Sequence, residues 1–413
     1  KVSPAEGSLF AEDEIRYKGI IARVGLMFKY WAPGRFVDDA IANPATTILQ
    51  QTRDDYERKT VGVFGRNYKA RLLPKINVSF PVTDNNVLYF NYGHSMRIAH
   101  PRFVYQGLDP VFQDRSFLSS LGNPDIDPEV SVSYELGYKT QITRDLGFSF
   151  TAFYKDMFDY IVSRRIIIAD PTGRFVEKTF FINQDYARIR GVEISYNQRL
   201  GKIFRVNASF SYQAATGKSN TAAESELQIR QNGFVNATKE QFLAWDRPFE
   251  AKGGITFLPD SSIRIGNYSL KNWRVFIFTN WRSGLRYTPH EQTGVADNGR
   301  PIYQPIEDQP FAKVGSNWFW TDIRLTYDFP IKARRLLGKK ILSFSFEVRN
   351  VFNNKNAQII NPVTGRGYEL GDPLPINDRD PSFIDPQNNG EPPFNPARYL
   401  NPRQIMFGVA FQF

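Results

Sequence analysis

Phe407, Val409, Phe411 and Phe413 alternate with Gly408, Ala410 and Gln412 at the end of the chain. A side-chain period of two marks a strand with one apolar and one polar face. The pattern recurs upstream. Phe204, Val206, Ala208, Phe210 and Tyr212 oppose Arg205, Asn207, Ser209, Ser211 and Gln213. Leu342, Phe344, Phe346 and Val348 oppose Ser343, Ser345, Glu347 and Arg349. Val130, Val132, Tyr134, Leu136, Tyr138 and Ile142 oppose Ser131, Ser133, Glu135, Lys139 and Gln141. Phe319, Ile323, Leu325, Tyr327 and Phe329 oppose Trp320, Asp322, Arg324 and Asp328.

Followed through the chain, the alternation predicts about twelve strands, near 15–30, 72–80, 86–95, 130–142, 146–158, 188–200, 203–214, 248–258, 272–283, 318–329, 341–351 and 403–413. Most are about ten residues or longer, the length a tilted strand needs to cross the hydrocarbon of a membrane. Strands of water-soluble domains run nearer five or six residues. The connections alternate as well. Pro81–Asn85, Thr143–Asp145, Leu200–Lys202 and Pro330–Lys340 are short, whereas 31–71, 96–129, 159–187, 215–247, 284–317 and 352–402 are long. Outer-membrane barrels carry short turns at the periplasmic end and long loops outside. The fold class is therefore expected to be all-β, an antiparallel transmembrane β-barrel. Its last strand runs inward to a periplasmic C-terminus, and strand 15–30 runs outward. A soluble sandwich or propeller also alternates, but it accounts for neither the strand lengths nor the loop asymmetry.

Mean hydropathy is −0.41 and no run is long and apolar enough for a membrane-spanning helix. A barrel escapes that test because only alternate residues meet lipid. The 15% aromatic content suits interfacial girdles, with Trp31, Tyr160, Trp273, Trp281, Trp318 and Trp320 as candidates near strand ends. The absence of cysteine fits an oxidising compartment. The net charge of +10 is dispersed except at Arg334, Arg335, Lys339 and Lys340. That cluster reads as a solvated turn, and no nucleic-acid partner is expected. Lys1 opens into polar sequence with no signal peptide, so a mature or truncated chain is expected.

Several segments resemble TonB-dependent outer-membrane receptors. After Pro128-Glu129, the stretch SVSYELGYKTQITRDLGFSFTAFYKDMFDYI (131–161) resembles two late barrel strands of that family. NQDYARIRGVEISYNQRL (183–200) carries its arginine-glycine-apolar-glutamate strand at Arg190, Gly191, Val192 and Glu193. FEVRNVFNNKN (346–356) and NPRQIMFGVAFQF (401–413) resemble its last two strands, and RLLPKINVSFPVTDNNVLYFNYGH (71–94) is similar to the Oar-like branch with a carboxypeptidase-regulatory-like domain, common in Bacteroidetes-type bacteria. The resemblance implies a barrel of about 22 strands around an N-terminal plug. The expectation is that this chain is the C-terminal portion of one such barrel domain over 1–413, with plug and first strands absent from the sequence. An open sheet leaves edges unpaired in lipid, so the closing strand must pair with a strand outside this chain.

The resemblance further implies a receptor that binds a solute at its outer loops and imports it with energy transduced by the TonB complex through the plug. The outer-membrane lipid and the barrel-assembly machinery are further implied partners, with Phe407, Phe411 and Phe413 as the assembly signal. The solute is open among small iron chelates or corrinoids, glycans and peptides, and loops 96–129, 215–247 and 284–317 are expected to select it. A structural or surface-assembly barrel and a passive porin-like channel are the alternatives.

The polar faces place Lys75, Glu135, Lys139, Glu193, Arg199, Arg205, Arg274, Arg282, Asp322, Arg324, Glu347 and Arg349 toward a lumen, for plug and solute contact or for pairing across strands. His94, His100 and His290 are the only histidines. His94 and His100 lie near Asp109 and Asp114 but fit no zinc spacing. Asp372, Asp378, Asp380 and Asp385 read as turn formers, since Asp-Pro recurs at 372–373, 380–381 and 385–386, rather than as a calcium loop. With so few histidines, and no glycine-flanked serine, no catalytic, cofactor or metal residues are assigned and no enzyme is expected.

Overall fold

The structure, a computed structural model, describes residues 3–46, 48–108, 120–169, 175–218, 240–297, 299, 301–306, 308–331, 340–369, 371–373 and 396–412. Thirteen long strands follow one another in a single antiparallel path. They are β1 (Ala5–Tyr17), β2 (Ile20–Ala32), β3 (Arg66–Thr83), β4 (Asn86–Arg97), β5 (Glu129–Thr143), β6 (Leu146–Ala169) and β7 (Phe175–Leu200). The path continues with β8 (Phe204–Gly217), β9 (Phe249–Phe257), β10 (Trp273–Arg282), β11 (Trp318–Ile331), β12 (Lys340–Arg349) and β13 (Gln404–Gln412). Each pairs with its sequence neighbour, and among the described residues β1 and β13 bond a long strand on one side only.

One face of the sheet is predominantly apolar, interrupted by charges such as Asp13 on β1 and Asp156, Arg188 and Arg190 on the upper rungs of β6 and β7. Phe346 lies opposite Phe407 and Leu342 opposite Phe411; Leu325 meets Phe346; Val275 meets Leu325; Phe204 meets Phe257. The row continues through Phe150 and Ile194 to Phe90 and Leu136 and to Phe28 beside Leu72. Phe80, Leu136, Phe210, Ile255 and Phe344 on this face are exposed. In water so large an exposed apolar belt would drive association; against hydrocarbon it is the stable arrangement. The opposite face is polar, and it sits on small residues where rings cross it. The Tyr89 ring overlies Gly137, where an added Cβ would come within 2.1 Å of it, and its hydroxyl reaches Thr151 Oγ1 at 2.6 Å.

Three expectations need correction. The alternation at 15–30 is not one strand. Lys18 and Gly19 take φ of 48° and 83°, closing a two-residue turn between Tyr17 and Ile20. That turn twists with the flanking strands, so β1 precedes β2 and accounts for the additional strand. Segment 159–187 is not a long loop either. Strands β6 and β7, 24 and 26 residues long, stay paired up to Ala169 opposite Phe175. Their upper part is buried on both faces at Ile161, Val162, Phe180 and Phe181, which erases the period of two.

The third correction concerns the aromatic girdle. Trp273, packed 4.8 Å from Tyr327, and Trp281, opposite Phe319, stand on the apolar face. Trp31, Tyr160 and Trp318 are buried, whereas Trp320 lies on the polar face beside the Arg282 guanidinium, as its parity opposite to Phe319 predicts. The remaining long segments do emerge at one end of the sheet, opposite the short turns. The connection 258–272 joins the turn end and contains a small hairpin, Arg264–Ile265 with Tyr268–Ser269.

Candidate functional site

The described parts of the long connections form a layer over the loop end. Segment 31–71 contributes α1 (Arg35–Ala42) and α2 (Gln50–Lys59). Val37, Ala40 and Ile41 recur at helical spacing and pack with Tyr56, Val104, Leu108, Ile126, Ile161 and Phe181. The core joins both loops to the raised β6–β7 hairpin. Arg53 is buried at the C-terminus of α1 and donates to Ala40 O, Ile41 O and Asn43 O, and to Thr46 Oγ1 at 2.6 Å. A cation satisfies the orphan carbonyls there and complements the helix dipole.

Lys69, 3% exposed, enters this layer from β3. Its ammonium contacts Asp125 Oδ1 at 2.8 Å and Asp127 Oδ1 at 2.7 Å, and Lys59 reaches Asp125 from α2 at 2.6 Å. Burial would raise the Asp127 pKa, but the adjacent Lys69 and Lys59 charges outweigh it and hold the carboxyl below its ordinary value. Asn123 Nδ2 donates to Phe181 O at 2.8 Å, and Asn183 Oδ1 accepts Asp127 N–H at 2.8 Å.

A second polar lock lies between 240–248 and 283–290. Asp246 is fully buried. It accepts the Ala215 N–H at 3.0 Å and the Arg286 Nε–H at 2.6 Å. Burial raises its pKa, with Arg286 opposing. The Arg286 guanidinium stacks 3.5 Å from the centre of the Phe242 ring, and Leu243 packs on Ala187 and Ala215. Arg247 lies 3.7 Å over the Trp318 ring, where burial and the nearby Arg282 charge bring its pKa down to about 10. Trp318 Nε1–H donates to Ala357 O at 2.6 Å, and Asn356 Oδ1 accepts Phe319 N–H at 2.7 Å. The segment after β12 thereby folds back over the same end of the wall.

The charged residues anticipated for the lumen share the polar face, and many are paired across strands. Glu347 accepts from Arg324 and Arg349, Arg274 pairs with Asp328, Glu250 with Arg282 and Lys252, and Glu135 accepts from Asn91 at 3.1 Å. Lys139 stands over the Tyr89 ring, and Asp322 Oδ1 accepts Asn350 N–H at 2.8 Å. Arg199 and Arg205 face each other directly. Lys75 and Glu193 lie on the same face, opposite Gly25 and Thr151. Lateral pairing thus organises much of this surface.

The histidines do not converge. His94 contacts the Tyr92 hydroxyl at 2.6 Å, His100 accepts Arg102 N–H at the start of a short helix, and His290 contacts Thr288 O. Asp372 takes Arg366 and the Glu369 N–H. Asp109, Asp114, Asp378, Asp380, Asp385, Arg334, Arg335, Lys339 and Phe413 lie outside the described residues. Lys69, Asp125, Asp127, Asp246 and Arg286, which organise the loop end, were not anticipated. Asp125, Asp127 and Asp246 lie in segments with no strand period, and the pairs are separated by 56 and 40 residues. The charged Trp245-Asp246-Arg247 run was the available cue.

Residues 5–351 match the family described as TonB dependent receptor-like, beta-barrel. Over 118 residues the chain is 30% identical to the iron-regulated outer membrane virulence protein of Vibrio cholerae strain O395, a stretch covering 27% of this chain and 18% of that protein. Among solved structures, the ferric enterobactin receptor PfeA of Pseudomonas aeruginosa aligns with a TM-score of 0.57 at 13% identity, over 99% of this chain and 45% of that one. The outer membrane transporter YddB of Escherichia coli aligns at 0.56 and 11% identity, over 86% of this chain and 42% of its own. The chain therefore covers less than half of either protein, and at these identities the likeness is one of fold. Through the match over 5–351, the chain belongs to the TonB dependent receptor-like β-barrel family.

Proposed function

We propose that the chain forms the C-terminal part of the wall of an outer-membrane receptor that captures a solute at its loop end and imports it with energy delivered by TonB. The carrying observation is the path of thirteen antiparallel strands, apolar on one face and charged on the other, with ordered loops over one end. In this reading the loop end faces outward and the C-terminus is periplasmic. The unpaired edges of β1 and β13 meet strands outside the chain, because exposed backbone groups are not tolerated in hydrocarbon. Phe407 and Phe411 face lipid and, with Phe413, act as the assembly signal. The names of the relatives, an iron-regulated outer-membrane protein and a ferric enterobactin receptor, support an iron chelate as the solute to test first. The family and its structural neighbours are receptors and transporters rather than enzymes.

The test is uptake of radiolabelled ferric chelates by cells with the intact gene, with the gene deleted, and with tonB deleted. Uptake that needs both genes is expected. Uptake through this protein that persists without TonB would sink the coupled-transport reading in favour of a passive channel.

A further inference from the structure

The outward face of β4–β8 carries no charge from the turn end upward until Arg190 on β7 and Asp156 on β6 are reached. Arg190 stands ten residues from Leu200, the turn-end residue of β7. At a rise of about 3.3 Å per residue and a tilt near 45°, that is roughly 23 Å along the membrane normal, about the height of an outer-membrane apolar band. An in-register row of rings marks the same level. Tyr92 and Tyr134 lie 5.2 Å apart, Tyr134 and Tyr154 lie 6.3 Å apart, and Tyr154 is directly opposite Arg190. Interfacial aromatics of this kind sit among lipid headgroups.

The local charges balance in number, two acids against two arginines, but both acids are taken up by one arginine. Asp156 accepts the Tyr154 hydroxyl at 2.9 Å and contacts Arg188 at 3.4 Å. Glu240 contacts Arg188 at 3.3 Å and accepts Thr216 Oγ1–H at 2.5 Å. Both acids are thus engaged by Arg188 and by hydroxyls. Arg190, exposed beside them, has no ion-pair partner among the described residues. An unpaired guanidinium on a lipid-facing position is costly at the bilayer midplane and tolerated only at its edge. Its planar fork matches a phosphate with two parallel hydrogen bonds.

The geometry points to Arg190, framed by Tyr154, as a binding site for a phosphate-bearing lipid headgroup in the leaflet at the loop end. The assignment rests on the reading of the sheet as a membrane wall. The site anchors that level of the wall, since a lipid phosphate there gives an ion-pair partner to the one arginine on the outward rows of β4–β8 that has none among the described residues.

The test is native mass spectrometry of the intact receptor released from nanodiscs of phosphatidylcholine doped with phosphatidic acid. Wild type is expected to retain phosphatidic acid in preference to phosphatidylcholine. Arg190→Gln should lower that preference about tenfold, roughly the weight of one charge-assisted contact, and Arg190→Lys should keep part of it. Ala214→Asp places a carboxylate directly opposite Arg190 and should abolish the preference by occupying the guanidinium. Equal preference in wild type and Arg190→Gln overturns the site, as does displacement of the lipid by millimolar inorganic phosphate. Bound lipid without phosphate preference in wild type overturns the site alone. A receptor released with no lipid at all overturns the membrane-wall reading with it.

Discussion

At the scale of single residues, the loop end is held by charges taken out of water in pairs. Asp246 and Arg286 illustrate the consequence: breaking a buried pair leaves an uncompensated charge, which typically costs about 3–5 kcal/mol. Asp246→Asn is therefore expected to loosen 240–248 and 283–290 without unfolding the strands. Limited proteolysis of the folded receptor should show faster cleavage in those two segments. Asp127 makes a pH prediction with a definite sign. Its carboxyl is held below the ordinary value of 3.8 by Lys69 and Lys59, against the cost of burial. The stabilisation it contributes is present above pH 3.8 and disappears as pH falls through the lowered value. Hydrogen exchange at 120–128 should remain slow down to about pH 4 and accelerate below it, and a profile unchanged to pH 2 would contradict the pairing.

At the scale of strands and turns, glycines reveal where the wall is tight. A Cβ at Gly191 would lie 2.1 Å from the Tyr212 carbonyl oxygen and 2.7 Å from the Phe153 ring, whereas one at Gly253 would meet nothing within 4 Å. The Tyr212 backbone cannot swing aside. Gly191→Ala is accordingly expected to destabilise β6–β8 by about 1–3 kcal/mol, as overpacking does, and Gly253→Ala to be close to neutral. Heat-modifiable mobility on gels, recorded against temperature, separates the two. The raised β6–β7 hairpin belongs to this scale as well. Its upper rungs contribute Ile161 and Phe181 to the loop-end core, so its strands hold up the loop layer as well as extend the sheet.

At the scale of the whole molecule, the apolar face and the two edges left without a partner among the described residues set the behaviour. Phe407 lies 5.0 Å from Phe346 on the outward face of β13, with its other flank unpaired among the described residues. Phe407→Ser with Phe411→Ser, or deletion of Phe413, is expected to lower the amount of receptor in the outer membrane several-fold while synthesis continues. Surface labelling of intact cells reports that amount. Undiminished delivery of the truncated chain would refute the assembly role of the terminal aromatics.

The alternation of apolar and polar residues by itself determined the strands, their two faces and the end at which the long connections emerge, because a period of two admits one backbone conformation. It placed Glu347, Arg349 and Arg324 correctly on the polar face before any contact was known. It could not separate β1 from β2, since Lys18-Gly19 is a two-residue break inside continuous alternation. It also lost β6 and β7 where both faces are buried. The loop-end chemistry was decided by tertiary structure alone: Lys69 with Asp125, and Asp246 with Arg286, meet only after the sheet has brought distant segments together. Which aromatics stand on the exposed apolar face was decided the same way, because the packed loops bury Trp31 and Trp318 at strand ends that sequence alone marks as interfacial.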